Sequence, residues 1–125
     1  MKALLIDSDV LIDVLRGKDA ALRFQWEELA AGSVLLAYSP VTAAEIWHGV
    51  REGEQDIVTG LFAAMTCIPI NAEIGRAAGD YLRQYRRSHN VALGDALIAA
   101  TAALHQIPLW TRNRKHYPMK EVNLH

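Results

Sequence analysis

The sequence predicts an α/β fold, a parallel sheet flanked by helices. Three observations lead there. Short apolar runs of strand length recur along the chain. Helix-length segments with their own start and stop signals lie between them. The composition, 51% hydrophobic against 22% charged residues, is that of a folded domain.

The elements follow in order. ALLI at residues 3–6 is a short apolar run and reads as a buried strand. A helix over residues 9–15 ends at Gly17, and AALRFQWEELAAG is a second helix that stops at Gly32. SVLLAY, residues 33–38, is the second strand. SPVTAAEIWHGV opens a helix with Ser39 as N-cap and Pro40 at its first position. Residues 55–65 form a further helix, and TCIPI a short third strand. AEIGRAAGDYLRQYRRSH has apolar positions at helical spacing, and the apolar segment NVALGDALIAATAALH is the helix after it. PLWT, residues 108–111, is the fourth strand and EVNL a candidate fifth. Sheets of this kind place their sites outside the carboxyl ends of the strands.

The 125 residues amount to one domain, residues 1–125, with no internal repeat, low-complexity tract or linker. The apolar share is slightly high for a small monomer and points to self-association. A net charge of −1 confines any nucleic-acid contact to a local basic patch. A lone cysteine, Cys67, excludes an internal disulfide and fits a reducing cytoplasm. MKALLID meets an acid before any signal-like apolar run, and no stretch is long and charge-free enough to span a bilayer.

The chemistry lies in acids at strand ends. Asp7 directly follows the first strand, where it either caps the next helix or faces the crevice. Asp9 and Asp13 share a helix face and read as solvated or capping residues, with Asp9 near enough to Asp7 to assist. Thr42 and Glu45 fit a capping box, but a helix starting at Ser39 leaves Glu45 in the interior with no capping duty. Asp95 stands alone among small aliphatic residues, as a first-turn residue stabilised by the helix dipole or as a ligand. Three acids converging on one crevice repel one another, and a divalent cation resolves the conflict. Oxygen ligands suit Mg²⁺ or Mn²⁺, and no thiolate or paired-histidine pattern indicates zinc. In LWTRNRKHYP, Thr111 and Asn113 bring hydroxyl and amide groups toward the same crevice. Arg112, Arg114, Lys115 and His116 add bases beside the acids. Acids that hold a metal, next to bases that hold phosphate, point to phosphodiester chemistry.

LLIDSDVLIDVLRG, SPVTAAEIWHGV, LGDALIAATA and WTRNRKHYP together resemble, in order and spacing, the acidic motifs of PIN-domain ribonucleases, in particular the VapC-type toxins of bacterial toxin–antitoxin pairs. The resemblance runs from residue 4 to residue 118. It implies a three-layer α/β/α PIN-like fold with a central, mostly parallel sheet, and metal-binding, catalytic acids at Asp7, Glu45 and Asp95. It also implies a homodimer and an antitoxin partner that blocks the site. The family's more variable fourth acid falls where this chain has Asn113 and His116, so one metal or two stays open.

The activity expected on this basis is Mg²⁺- or Mn²⁺-dependent cleavage of single-stranded RNA. Thr111 and Asn113 position substrate or water, and Arg112, Arg114 and Lys115, with Arg16 or Arg51, hold flanking phosphates. The dimer would use helices within residues 55–87, with Trp47, Phe62 and Tyr85 as anchors. Two other readings stand beside this one. Asp7-Ser8-Asp9-Val10 fits the opening of a haloacid-dehalogenase-like phosphatase, with Asp7 as nucleophile and Asp9 as acid/base, although position 99, where that family has a second late acid, is alanine. A phospho-receiver needs an acid after its middle strand, where this chain has Asn71. A catalytically weakened RNA-binding module is compatible with the missing fourth acid.

Overall fold

The computed structural model describes residues 2–125. Its sheet has four strands, β1 (Ala3–Ile6), β2 (Leu35–Tyr38), β3 (Thr66–Cys67) and β4 (Leu109–Trp110), all parallel, in the order β3-β2-β1-β4. The chain steps outward from β1 to β2 to β3, then returns to the other side of β1. The switch point therefore lies between β1 and β4, and the register pairs Leu5 with Leu109 and Ile6 with Trp110. The Asp7 amide donates to the Trp110 carbonyl at 2.9 Å, which sets Asp7 beside Thr111 at the carboxyl ends of the two strands.

Side chains alternate across the sheet and fill a core on each face. Leu4, Ile6, Leu36 and Trp110 point into one core, with α1 (Ser8–Arg16), α2 (Ala20–Ala31) and α4 (Gln55–Ala63). Leu5, Ala37 and Leu109 point into the other, with α5 (Ala72–His89) and α6 (Leu93–His105). Helices on both faces give the three-layer arrangement expected from the motifs.

Local chemistry sets the helix ends that matter to the site. Asp7 caps α1, accepting the Ser8 amide at 2.8 Å, and Gly17 closes that helix at φ 65°, a left-handed conformation that favours glycine. Ser39 caps α3 (Pro40–His48), its Oγ accepting the Val41 amide at 3.1 Å, with Pro40 at the first position. The start at Pro40 puts Glu45 inside the helix and sets aside the Thr42 capping box. Small residues cover the buried side of α6: Ala96, Ala99, Ala100 and Ala102 are buried around Ile98. At its first turn a Cβ on Gly94 would come within 3.2 Å of Val41 Cγ1. Glycine there lets α6 approach α3 closely, bringing Asp95 toward Glu45.

Some boundaries differ from the sequence reading. The β3 and β4 strands shrink to two residues each, because a ladder ends where its neighbour ends. The expected fifth strand is a single parallel bridge between Leu109 and Leu124, since β4 is too short to template more. The apolar segment beginning at Asn90 turns helical only at Leu93. Phe62, expected at a dimer interface, is buried against Tyr38 with ring centroids 4.5 Å apart. The exposed apolar side chains include Phe24, Trp47, Ile57 and Leu93. Among the described residues no helix is long and apolar enough to cross a membrane.

Because the fully buried Ser39 hydroxyl caps the helix carrying Glu45, Ser39→Ala should cost about 1 kcal/mol and lower the melting temperature by about 3–5 °C. Calorimetry showing no change would mean that another group serves this helix end.

Candidate active site

The site forms at the carboxyl end of β1. Asp7 is 6% exposed there, and its carboxylate accepts three hydrogen bonds. The Ser8 amide donates to Oδ1 at 2.8 Å; the Thr111 hydroxyl at 2.8 Å and the Tyr117 phenol at 2.9 Å both donate to Oδ2. Burial first, then the nearby Asp7 and Asp95, push the Tyr117 phenol far above its ordinary range, so it stays a donor. Ser8 continues the network, its hydroxyl donating to Glu45 Oε1 at 3.2 Å. Burial raises the Glu45 carboxyl, the Ser8 bond opposes this, and the charges of Asp7 and Asp95 add to it.

Asp95 occupies the third position of α6, and its Oδ2 accepts the Ala92 amide at 3.1 Å. It is thus a first-turn residue that supports the helix start, and it also stands with the other acids. Alanine has no side-chain acceptor to reciprocate, so only half of a capping box exists. His116 Nδ1 lies 3.4 Å from the same Oδ2 and 2.9 Å from the Asn113 amide nitrogen. An Nδ1–H tautomer serves both neighbours only if Asn113 presents its amide oxygen instead. Asn113 also anchors Thr111, its backbone amide donating to Oγ1 at 3.0 Å.

Asp9 belongs to this cluster more closely than the sequence implied. Its Oδ2 accepts the Arg112 amide at 3.1 Å and lies 3.4 Å from the Thr111 hydroxyl, while Oδ1 is enclosed without a partner among the described residues. Desolvation, then the charge of Asp7, pushes Asp9 up to about 6 against the hydrogen bonds from Arg112, Val10 and Thr111.

The bases are disposed unevenly. The Arg112 guanidinium pairs with Asp13 and Asp19, each at 3.2 Å, and so ties the loop after β4 to α1 and the start of α2. Arg16 pairs with Glu54 at 2.7 Å in a small groove of about 100 Å³ that Glu45 also lines. Arg114 and Lys115, in the short 3-10 turn Arg114–His116, are exposed, with Arg114 reaching the His125 carbonyl at 3.3 Å. A wider groove of about 760 Å³, lined by Lys2, Leu29, Val34 and Pro108, opens at the amino ends of the strands and contains no acid.

Hard cations suit this all-oxygen donor set, in which each of three carboxylates keeps an oxygen outside the hydrogen bonds described or only singly bonded. Among the described residues no three such side chains already stand in coordination geometry. Glu45 is exposed, and its carboxylate is held by the Ser8 hydroxyl.

The PIN domain family profile matches residues 4–122. The chain belongs to the PIN-domain family. This PIN domain is 46% identical over 119 residues to Ribonuclease VapC10 of Mycobacterium tuberculosis, covering 94% of this chain and 88% of that one. A toxin–antitoxin complex from Klebsiella pneumoniae superposes with a TM-score of 0.73 at 29% identity, covering 95% and 94% of the two chains. The VapBC2 structure from Rickettsia felis bound to a promoter DNA fragment shares the fold, with a TM-score of 0.79 at 20% identity over 98% and 97%. Membership of this family sets aside the phosphatase and phospho-receiver readings of Asp7 and Asp9.

The structure brings Asp7, Glu45, Asp95, Thr111, Asn113 and His116 of this PIN domain into one network, leaves Arg114 and Lys115 at its edge, and turns Arg112 away into ion pairs. Sequence reasoning passed over three participants: Ser8, Tyr117 and the buried oxygen of Asp9. For Tyr117 the only available signal was an aromatic residue just after the last polar motif.

The Asp9 shift gives a signed prediction for the metal-free protein. A carboxyl raised in the folded state stabilises fully below its unfolded value near 3.8, and that contribution is lost as pH rises through about 6. Asp9→Asn mimics the protonated form. In EDTA its melting temperature relative to the native protein should climb between pH 4 and 6 and level off above. A pH-independent difference would contradict the shift.

Proposed function

We propose that this chain is a metal-dependent endoribonuclease that cuts single-stranded RNA and serves as the toxin of a type II toxin–antitoxin pair in a reducing, cytoplasmic setting. The observation that carries this reading is the convergence of Asp7, Glu45 and Asp95 at the β1–β4 switch point, the place where such sheets bind ligands. The ribonuclease name of its M. tuberculosis relative and the toxin–antitoxin complex from K. pneumoniae support it.

Asp7, Glu45 and Asp95 would hold Mg²⁺ or Mn²⁺. A divalent cation there supplies electrophilic activation of a phosphate oxygen and a water acidified toward neutral pH. The chain's own part is to position. Ser8, Thr111 and Tyr117 fix the plane of Asp7, and the Ala92 amide and His116 fix Asp95. Arg114 and Lys115, exposed at the rim, are placed for phosphates flanking the scissile one. Arg112 is available for phosphate only if it leaves Asp13 and Asp19. Attack by water in line with the 3′ oxygen leaves 5′-phosphate and 3′-hydroxyl ends. Recognition of single strands depends on unstacked bases, and so on loop shape around the site. An antitoxin would act by covering this crevice. The exposed Trp47 and Ile57 are the apolar anchors available to a homodimer on α3 and α4.

Cleavage of an unstructured RNA tests the reading. The native protein should cut with Mn²⁺ or Mg²⁺ and not with EDTA, and either ion should raise its melting temperature by binding only the folded state. Asp95→Asn keeps an oxygen for the Ala92 amide. It should therefore stay folded while losing the ion-dependent gain and about two orders of magnitude or more of cleavage. RNA binding without cleavage under these conditions would favour the weakened RNA-binding module. Sedimentation at micromolar concentration should show a dimer; a species of only 13.9 kDa would reject it.

A further inference from the structure

We propose that the carboxyl end of α5 is a second arm of the substrate surface, where Arg86 and Arg87 hold phosphates of a single-stranded RNA and His89 stacks one of its bases, beside the first turn of α6 that carries Asp95. The inference rests on the ribonuclease reading above and concerns where the strand lies.

Charge is segregated here. The chain as a whole has a net charge of −1, yet YLRQYRRSHNVALG, residues 81–94, contains three arginines and a histidine and no acid. The other paired arginines spend their charge within the fold: Arg16, Arg23, Arg83 and Arg112 each meet a carboxylate. Arg86 and Arg87 are exposed, and among the described residues neither forms an ion pair. Their guanidinium donors are therefore open to an anion from outside, and planar guanidinium suits phosphate.

The turn after α5 fixes these bases next to the acids. Asn90 closes α5 in a left-handed conformation, φ 53°, and only Asn90, Val91 and Ala92 separate α5 from α6. Val91 is 1% exposed and anchors this turn in the core. Asp95 follows at the third position of α6, bonded back to the Ala92 amide at 3.1 Å. Two basic arms from distant parts of the chain thus adjoin Asp95. One is the end of α5, and the other is the turn bearing Arg114, Lys115 and His116, whose Nδ1 lies 3.4 Å from the Asp95 carboxylate.

Aromatic rings accompany the charge. Tyr81, Tyr85 and His89 recur every four residues along α5, with Tyr81 and Tyr85 centroids 6.4 Å apart and Tyr85 and His89 5.7 Å apart, edge to face. Tyr81 and Tyr85 pack against the core, and the row ends in His89, which is exposed. The Ser88 Oγ, 2.8 Å from His89 Nδ1, holds the ring from a second side. A flat ring fixed this way and open to solvent is a platform for an unstacked base. Leu93, 60% exposed at the first position of α6, extends the apolar surface toward Asp95.

Bases in a last turn also complement the helix dipole. That role predicts an effect on stability and none on RNA, so the two are separable. The intact chain is titrated against a labelled, unstructured oligoribonucleotide in EDTA, where no cleavage occurs, at several salt concentrations, and melting temperatures are recorded alongside. Replacing both arginines, Arg86→Gln with Arg87→Gln, should weaken binding about tenfold or more and flatten the slope of log affinity against log salt by about 1.4. His89→Ala should weaken binding about fivefold or more. Arg76→Gln removes the same charge from the same helix, but about 16 Å back along its axis and beyond the screening length of about 10 Å at 0.1 M salt. It should keep the native affinity within about twofold. A double variant that melts lower yet binds RNA with the native affinity and slope would overturn the arm and leave only the dipole role. An equal loss in Arg76→Gln would overturn it too, by reducing the effect to overall charge. A native protein that cuts RNA with Mn²⁺ but does not bind it in EDTA would overturn the arm and leave the ribonuclease reading standing. Neither binding nor cleavage would overturn both.

Discussion

A carboxylate buried at the end of the central strand organises this molecule. Asp7 is 6% exposed, and a carboxylate removed from water without donors costs several kcal/mol or more. Its three donors come from two distant regions of the chain: the Ser8 amide directly after it, and the Thr111 and Tyr117 hydroxyls from the last motif. To deliver the latter pair, β4 has to return to the side of β1 that β2 leaves open. The strand order β3-β2-β1-β4 does this, and the backbone bond from the Asp7 amide to Trp110 sets the register.

The remaining acids reach Asp7 through close packing of helix ends. Ser39 and Pro40 fix where α3 begins, and hence the turn on which Glu45 lies. Gly94 lets the first turn of α6 approach Val41 on α3, and the alanines behind it bring that helix against the sheet. Burial first, and then the neighbouring charges, raises the carboxyls of Asp9 and Glu45. The cluster is therefore electrostatically loaded before any cation arrives, and it is held together by hydroxyl and amide donors instead of by bases.

Local signals made most of the fold and the main acids legible in the sequence. Helix α5 matches its predicted range, because Asn71 caps it and the run to His89 keeps one apolar face. Asp7, Glu45 and Asp95 stood out as carboxylates at strand ends or among apolar neighbours. What stayed hidden depends on pairings between distant residues. The two-residue strands β3 and β4 are defined by their partners, not by their own composition. Arg112 looked like a free base in a basic run, and only the packing of α1 and α2 reveals Asp13 and Asp19 as its partners. Asp9 resembled a solvated first-turn acid until the loop after β4 covered it. The Tyr117 hydroxyl, 110 residues from Asp7, leaves no local trace of its target.

That long separation governs when the site can exist. The bonds from Thr111 and Tyr117 to Asp7 bridge 104 and 110 residues of a 125-residue chain. Synthesis runs from the amino end, so Asp7 is made 104 and 110 residues before its two hydroxyl donors. Until those residues are made the nascent chain carries Asp7 without the hydroxyls that orient it, and contacts of such long range close late in folding as well. The network around Asp7 is thus completed only after the helices that carry Glu45 and Asp95 have been made, and a product cut short before Thr111 would retain all three acids without the hydroxyls that orient the first of them.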